Sequence, residues 1–231
     1  MEAIILAGGL GTRLQETVPN LPKAMAPVGD RPFLSHLLAY LQTQGVTKAI
    51  LAVGYMAEKV EAYFGESHNG LPIIYSNEPR PMGTGGAIKL ATAHVSTWPV
   101  LAVNGDTLFP FSLPSFEAFH HSTPGCFSIA LCPMSNCERY GTVVTSPDGQ
   151  VLKFEEKRPS KRIGLINAGA YLLDESSRLL IPSGASSLEQ DVIPALSMRG
   201  LIYGVPFSVP FLDIGVPEDY AKSLAFLEAL Q

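Results

Sequence analysis

Between Glu2 and Asn104, short apolar runs alternate with helical patterns, and this alternation restricts the fold more tightly than any single motif. Residues 2–7 (Glu-Ala-Ile-Ile-Leu-Ala) stop at Gly8-Gly9, the pattern of a buried strand. From Pro32 to Gln44 the residues Phe33, Leu34, Leu37, Leu38 and Leu41 recur at helical spacing. Pro32 suits the first turn of that helix and Gly45 its stop. Strands are then expected at 48–53, 72–76 and 99–103, with helices at 57–64 and 86–93. The order predicts an α/β fold: a Rossmann-like, mostly parallel sheet flanked by helices. In such sheets ligands bind beyond the carboxyl ends of the strands.

The second half is less regular. Segments 140–145 and 151–155 flank Pro147-Asp148-Gly149, a hairpin signal, and 167–172 reads as another strand. Helical patterns cover 174–180 and 188–198, and a last helix starts at Pro217 with Glu218 and Asp219 in its first turn. No linker or repeat interrupts the chain, so one domain over 1–231 is expected, with small antiparallel additions in its second half.

Composition narrows the partners. A formal net charge of −5 without any basic run gives no electrostatic reason to expect nucleic acid. No apolar stretch approaches the roughly 20 residues that span a bilayer, so no membrane partner is expected. The N-terminus lacks the basic and long apolar regions of a secretory signal. Cys126, Cys132 and Cys137 form no CxxC pair and match no zinc spacing, so they read as free thiols of a reducing, cytoplasmic compartment.

Several polar or glycine-rich segments fall at expected strand ends. Leu6-Ala7-Gly8-Gly9-Leu10-Gly11-Thr12-Arg13 offers backbone N–H groups that no side chain obstructs, so a triphosphate could approach closely. Arg13 adds a planar cation suited to phosphate oxygens. The segment is neither a P-loop nor a GxGxxG fingerprint, and by itself it reads more readily as a plain turn. Gly83-Thr84-Gly85-Gly86-Ala87 opens a helix, where a base or ribose could lie against backbone. Asn104-Gly105-Asp106 ends the strand at 99–103, and Asp213 similarly follows an apolar run and precedes Gly215. Two carboxylates so placed suit Mg²⁺, which takes one or two protein carboxylates and completes its shell with phosphate and water. The histidines suggest no Ser-His-Asp or Cys-His arrangement.

The string Gly8-Gly9-Leu10-Gly11-Thr12-Arg13-Leu14, followed by Pro22-Lys23, resembles the signature of the sugar-1-phosphate nucleotidyltransferases. Ala24 stands where many of that family carry proline. The resemblance implies a GT-A-like nucleotidyltransferase fold, with 1–110 mainly binding the NTP and 111–231 mainly the sugar phosphate. It implies Arg13, Lys23 and Asp106 as catalytic residues. Leu6, Ala7, Gly8, Gly9, Gly11, Thr12, Arg13, Gly83, Thr84 and Gly85 would contact the nucleotide. Glu155-Glu156-Lys157-Arg158-Pro159 and Asn167-Ala168-Gly169 match the sugar-phosphate segments. Lys157 would then hold the sugar's phosphate, and Glu156, Asn167, Asn104 and Gly141 would lie beside the sugar. Asp106 and Asp213 would be the Mg²⁺ ligands.

Over most of the chain the pattern is most like D-glycero-α-D-manno-heptose 1-phosphate guanylyltransferases, with GTP and that sugar phosphate as substrates. Mannose 1-phosphate guanylyltransferase and N-acetylmuramate 1-phosphate uridylyltransferase are the rivals. A guanine base needs acceptors for N1–H and N2–H₂, and Glu78 or carbonyls near Gly83 could supply them. A catalytically silent nucleotide-sugar sensor on the same fold is the reading of another class, opposed by intact Arg13, Lys23, Asp106, Lys157 and Asp213. A Rossmann oxidoreductase is opposed by the missing third glycine. A homodimer is the default assembly.

Overall fold

The computed structural model describes residues 1–9, 14, 17–155 and 163–230. Its centre is a ten-stranded mixed sheet. The parallel part is built from β1 (Glu2–Leu6), β2 (Lys48–Val53), β3 (Leu71–Asn77) and β4 (Val100–Asn104), in the spatial order β4-β1-β2-β3. Helices α1 (Phe33–Thr43), α2 (Ala57–Phe64) and α3 (Gly83–Ala91) connect them.

The continuous apolar character of β1 follows from burial on both faces. Ala3 and Ile5 join the core that includes Leu34, Leu37 and Leu38 of α1, whereas Ile4 joins the core that includes Ala87, Ile88 and Ala91 of α3. The strand's period of two thus sends alternate residues to opposite helical layers.

The antiparallel half continues the same sheet. The ten-residue strand β9 (Gly164–Leu173) pairs antiparallel with β4, extending the sheet beyond the parallel strands. It also pairs with β6 (Phe127–Met134) and with β7 (Thr142–Thr145), which forms a hairpin with β8 (Val151–Glu155). Strand β10 (Ile202–Pro206) runs parallel to β6. The sequence patterns assign neither β6 nor β10, although six successive residues of β6, Phe127–Cys132, are buried. A run buried on both faces has no alternation to reveal it. The helical pattern at 188–198 is a π-type turn, Leu188–Val192, leading into α5 (Ile193–Met198).

Two buried polar groups fasten these elements. Helix α4 (Leu113–Ser122) carries His120, whose ring bonds Ser128 Oγ of β6 at 2.7 Å and Asp174 Oδ1 at 3.2 Å. Ser128 is fully buried, so this Ser-His-Asp set is a clamp between helix and sheet and not an accessible nucleophile.

At the amino end of β1, Glu2 pairs with Lys48 at 2.7 Å and accepts from the N–H groups of Ser96 and Thr97. Burial works to raise its pKa, but Lys48 and the two backbone donors outweigh it and hold the carboxyl below its ordinary range. A depressed folded-state pKa means stability that is present above the unfolded carboxylate's pKa and lost as pH falls through the folded value. Glu2→Gln is therefore expected to destabilise the protein by about 1–2 kcal/mol at pH 7. Thermal melts should show that difference shrinking as the pH falls below the carboxylate range; a constant gap would refute it.

Candidate active site

The strand ends of β1 and β4 meet above the sheet. Ala7 N–H donates to Ala52 O at 2.8 Å, and Gly105 N–H donates to Leu6 O at 2.9 Å. Leu6 therefore lies beside Asn104 and Gly105, as the strand order requires, while Ala7 and Gly8 run along the end of β2. Gly8 is set here by close approach: a Cβ would stand 2.7 Å from Glu78 Oε1 and 3.0 Å from Gly54 N. Glu78 uses its other oxygen to accept from Met82 N–H at 2.8 Å. Burial raises its pKa, with that hydrogen bond acting in the opposite direction.

Asp106 follows the last residue of β4 by two positions. Two very short strands, β5 (Thr107–Leu108) and β11 (Leu212–Asp213), form an antiparallel ribbon that sets Asp213 opposite Thr107. Ile214 N–H also donates to Asp106 O at 3.1 Å. The ribbon thus brings together two carboxylates more than a hundred residues apart in sequence. Between them sits Lys23, on a short 3₁₀ turn over Lys23–Met25 whose Ala24 and Met25 are buried. Its Nζ donates to Asp106 Oδ2 at 2.5 Å and to Asp213 Oδ1 at 3.4 Å.

Burial disfavours the ammonium, yet the two carboxylates outweigh it and raise the Lys23 pKa. Burial and the Asp106 charge raise the Asp213 carboxyl, against Lys23 and the Gly215 N–H. Two hard oxygen groups converging on one cation are a donor set that fits Mg²⁺ as well as ammonium. Among the described residues no cluster of three or more His, Cys, Asp or Glu could hold a metal, so such an ion would complete its shell from phosphates and water.

Helix α3 begins at Gly83, three residues earlier than its pattern suggests. Its glycines are explained by a neighbour from the second half. Gly83 has φ +69°, and a Cβ there would lie 2.5 Å from Ser186 O. Gly85 N–H and Gly86 N–H both donate to Ser186 O, at 2.9 and 3.2 Å. Close docking of residues 184–187 against the start of α3 demands glycine here, whatever else binds.

A cavity of about 360 Å³ opens beside Asp213, lined also by Asn104, Arg139, Tyr140, Asn167 and Glu189, among others. Asn167 is partly committed: its Nδ2 donates to Tyr171 Oη at 2.7 Å, and its Oδ1 accepts from Gly169 N–H at 2.9 Å. These bonds stabilise the irregularity in β9 between Asn167 and Tyr171. Arg139 pairs with Asp219 and lies over the Tyr140 ring, 5.4 Å from its centroid.

A family model described as Nucleotidyl transferase matches residues 2–229. The chain belongs to the nucleotidyl transferase family. It is 42% identical over 224 residues to D-glycero-alpha-D-manno-heptose 1-phosphate guanylyltransferase of Aneurinibacillus thermoaerophilus, covering 96% of each protein. It is 34% identical to mannose-1-phosphate guanylyltransferase of Mycobacterium tuberculosis, of which it spans 64%. The crystal structure of HddC from Yersinia pseudotuberculosis complexed with GMP-PN superposes with a TM-score of 0.86 at 31% identity, covering 100% of this chain and 99% of that one. The expected fold is borne out by these neighbours and by the mixed sheet with its flanking helices.

In this nucleotidyl transferase the structure brings Lys23, Asp106 and Asp213 together, and sets Asn104, Gly141 and Asn167 around one cavity. Leu6, Ala7, Gly8 and Gly9 lead from β1 toward the same end of the sheet, and Gly83, Thr84 and Gly85 form the first turn of α3. Gly11, Thr12, Arg13, Glu156 and Lys157 lie outside the described residues. The sequence does not announce the pairing of Arg139 with Asp219, nor that Ser187 and Glu189 line the cavity. Only the polar Ser186-Ser187 pair ahead of a helical pattern could have signalled that segment. No helix among the described residues is long and apolar enough to cross a membrane.

Proposed function

We propose that this enzyme condenses GTP with D-glycero-α-D-manno-heptose 1-phosphate to give GDP-heptose and pyrophosphate. The observation that carries the reading is 42% identity, over 96% of both chains, to a protein of that activity. A structural neighbour that binds GMP-PN supports the guanine nucleotide. Mannose 1-phosphate is the second sugar to test, favoured by the 34% identity to a mannose-1-phosphate guanylyltransferase.

In the proposed reaction a phosphate oxygen of the sugar 1-phosphate attacks the α-phosphorus of GTP. The new P–O bond forms as the bond to the β-phosphate bridging oxygen breaks, and pyrophosphate leaves with that electron pair. The attacking phosphate is already anionic, so the protein's task is to position and to neutralise charge. Residues 1–110 supply mainly the nucleotide side: the glycine-rich 6–13 segment is assigned to the triphosphate, and Arg13 and Lys23 to neutralising its charge. Gly83, Thr84 and Gly85 flank the base, and Glu78 offers its carboxylate to the guanine N1–H and N2–H₂. Residues 111–231 supply mainly the sugar side, through Gly141, Glu156, Lys157 and Asn167, joined by Asn104. Asp106 and Asp213 would hold Mg²⁺, which when bound offsets negative charge on the α-phosphate. This reading carries with it a cytoplasmic site of action and a homodimer as the expected assembly.

Pyrophosphate release is the direct test, with each NTP paired against heptose, mannose and N-acetylmuramate 1-phosphates. GTP with the heptose phosphate should give the highest kcat/KM. Absence of release with every pair would overturn the reading, and preference for mannose 1-phosphate would replace the sugar.

A further inference from the structure

The cavity beside Asp213 has a second acidic feature. Glu189 lines it from the π-type turn Leu188–Val192. Leu188 and Val192 are buried and anchor that turn, while Ser187 Oγ caps it by accepting from Gln190 N–H at 3.1 Å. A π-type turn inserted ahead of an α-helix is a costly local geometry that often marks a working site.

The carboxylate itself is asymmetrically held. Its Oε2 accepts from Thr84 Oγ at 2.8 Å and from Ser187 Oγ at 3.1 Å. Thr84 Oγ in turn accepts from Leu188 N–H at 2.8 Å, so its proton is directed at Glu189. Among the described residues no hydrogen bond reaches the other oxygen, Oε1. A carboxylate fixed at one oxygen and open at the other, in a cavity, is built to receive donors. A phosphate is excluded as its partner, because two anions would repel. Sugar hydroxyls are neutral donors and meet no such penalty.

We propose that Glu189 is a sugar-recognition residue whose Oε1 accepts hydrogen bonds from hydroxyls of the sugar 1-phosphate, and that Thr84 is the residue that positions it. This rests on the proposed function. It adds an orientation: the repulsion turns the phosphate end of the sugar away from Glu189 and its hydroxyl face toward it. It also gives Thr84 a second role, since a residue at the start of α3 aims a group in the sugar cavity.

Glu189→Gln tests the first part. Its amide oxygen still accepts from Thr84 and Ser187, while its NH₂ replaces the open acceptor. The KM for the heptose 1-phosphate should rise roughly 10- to 100-fold, the worth of hydrogen bonds to a charged group, with the KM for GTP unchanged. Thr84→Val should raise the same KM, and Thr84→Ser, which keeps the hydroxyl, should restore it. Calorimetric titration of wild type and Glu189→Gln with D-glycero-α-D-manno-heptose 1-phosphate should show the same loss without turnover. Equal sugar affinity in Glu189→Gln and wild type would overturn the proposal, as would a rise confined to the KM for GTP. If Glu189→Gln does not fold, the Thr84→Val and Thr84→Ser pair decides by the same criterion. A wild type that binds the sugar phosphate yet releases no pyrophosphate would sink the proposed reaction and not the role of Glu189.

Discussion

Asp106→Ala is expected to lower kcat by about 10³-fold or more, the cost of removing a strong electrostatic stabiliser from a reacting phosphate. Its position explains the size. Asp106 follows the last residue of β4 by two positions, on a turn bonded to the end of β1, so its carboxylate has little freedom to lose on binding. The substitution also removes the 2.5 Å partner of Lys23, leaving the ammonium with Asp213 at 3.4 Å. Asp106→Asn separates charge from shape. It keeps an acceptor for the Thr107 hydroxyl, which now donates to Oδ1 at 3.2 Å, but carries no charge. If charge is what matters, Asn should be nearly as damaging as Ala. Steady-state kinetics with an unchanged melting temperature is the measurement. Near-normal turnover in Asp106→Ala would end the metal-ligand assignment, and a calorimetric Mg²⁺ titration of the variant supplies the independent readout.

The parallel half of the fold was legible for one physical reason. Each strand there is an isolated apolar run that stops at glycine or at a polar residue, so the candidate residues Gly8 and Asn104-Gly105-Asp106 stand out at strand ends. Legibility fails where position is set by partners distant in sequence. Strands β5 and β11 are two residues each, too short for any periodicity, yet their pairing is what sets Asp213 beside Asp106. His120 finds Ser128 and Asp174, 8 and 54 residues away, and no local signature can announce such a clamp. From the sequence, Gly83 and Gly85 suggest room for a base. In the structure Ser186 crowds their Cβ positions, so the same glycines answer a packing demand set by a segment about a hundred residues away. That packing is also what carries Glu189 to the cavity.

Lys23→Met should lower kcat by roughly 10²-fold or more, as expected when a cation facing a transition-state phosphate is lost. The structure adds a second expectation of opposite sign. With 16% of its side chain exposed, Lys23 occupies the space between Asp106 and Asp213, where a divalent cation would otherwise be drawn. On the proposed metal assignment, its ammonium would compete with Mg²⁺ for these carboxylates. Removing it leaves two converging carboxylates without their cation, so Mg²⁺ affinity measured calorimetrically without nucleotide should rise while turnover falls. Methionine is the informative replacement, since it keeps an unbranched apolar stem and removes only the charge. Lys23→Arg should not rescue turnover, because a planar fork cannot take the place of a compact ammonium between two carboxylates. Turnover within about threefold of wild type in Lys23→Met would remove Lys23 from the reaction. A fall in Mg²⁺ affinity alongside lost turnover would mean that the lysine organises the carboxylates and does not compete for them.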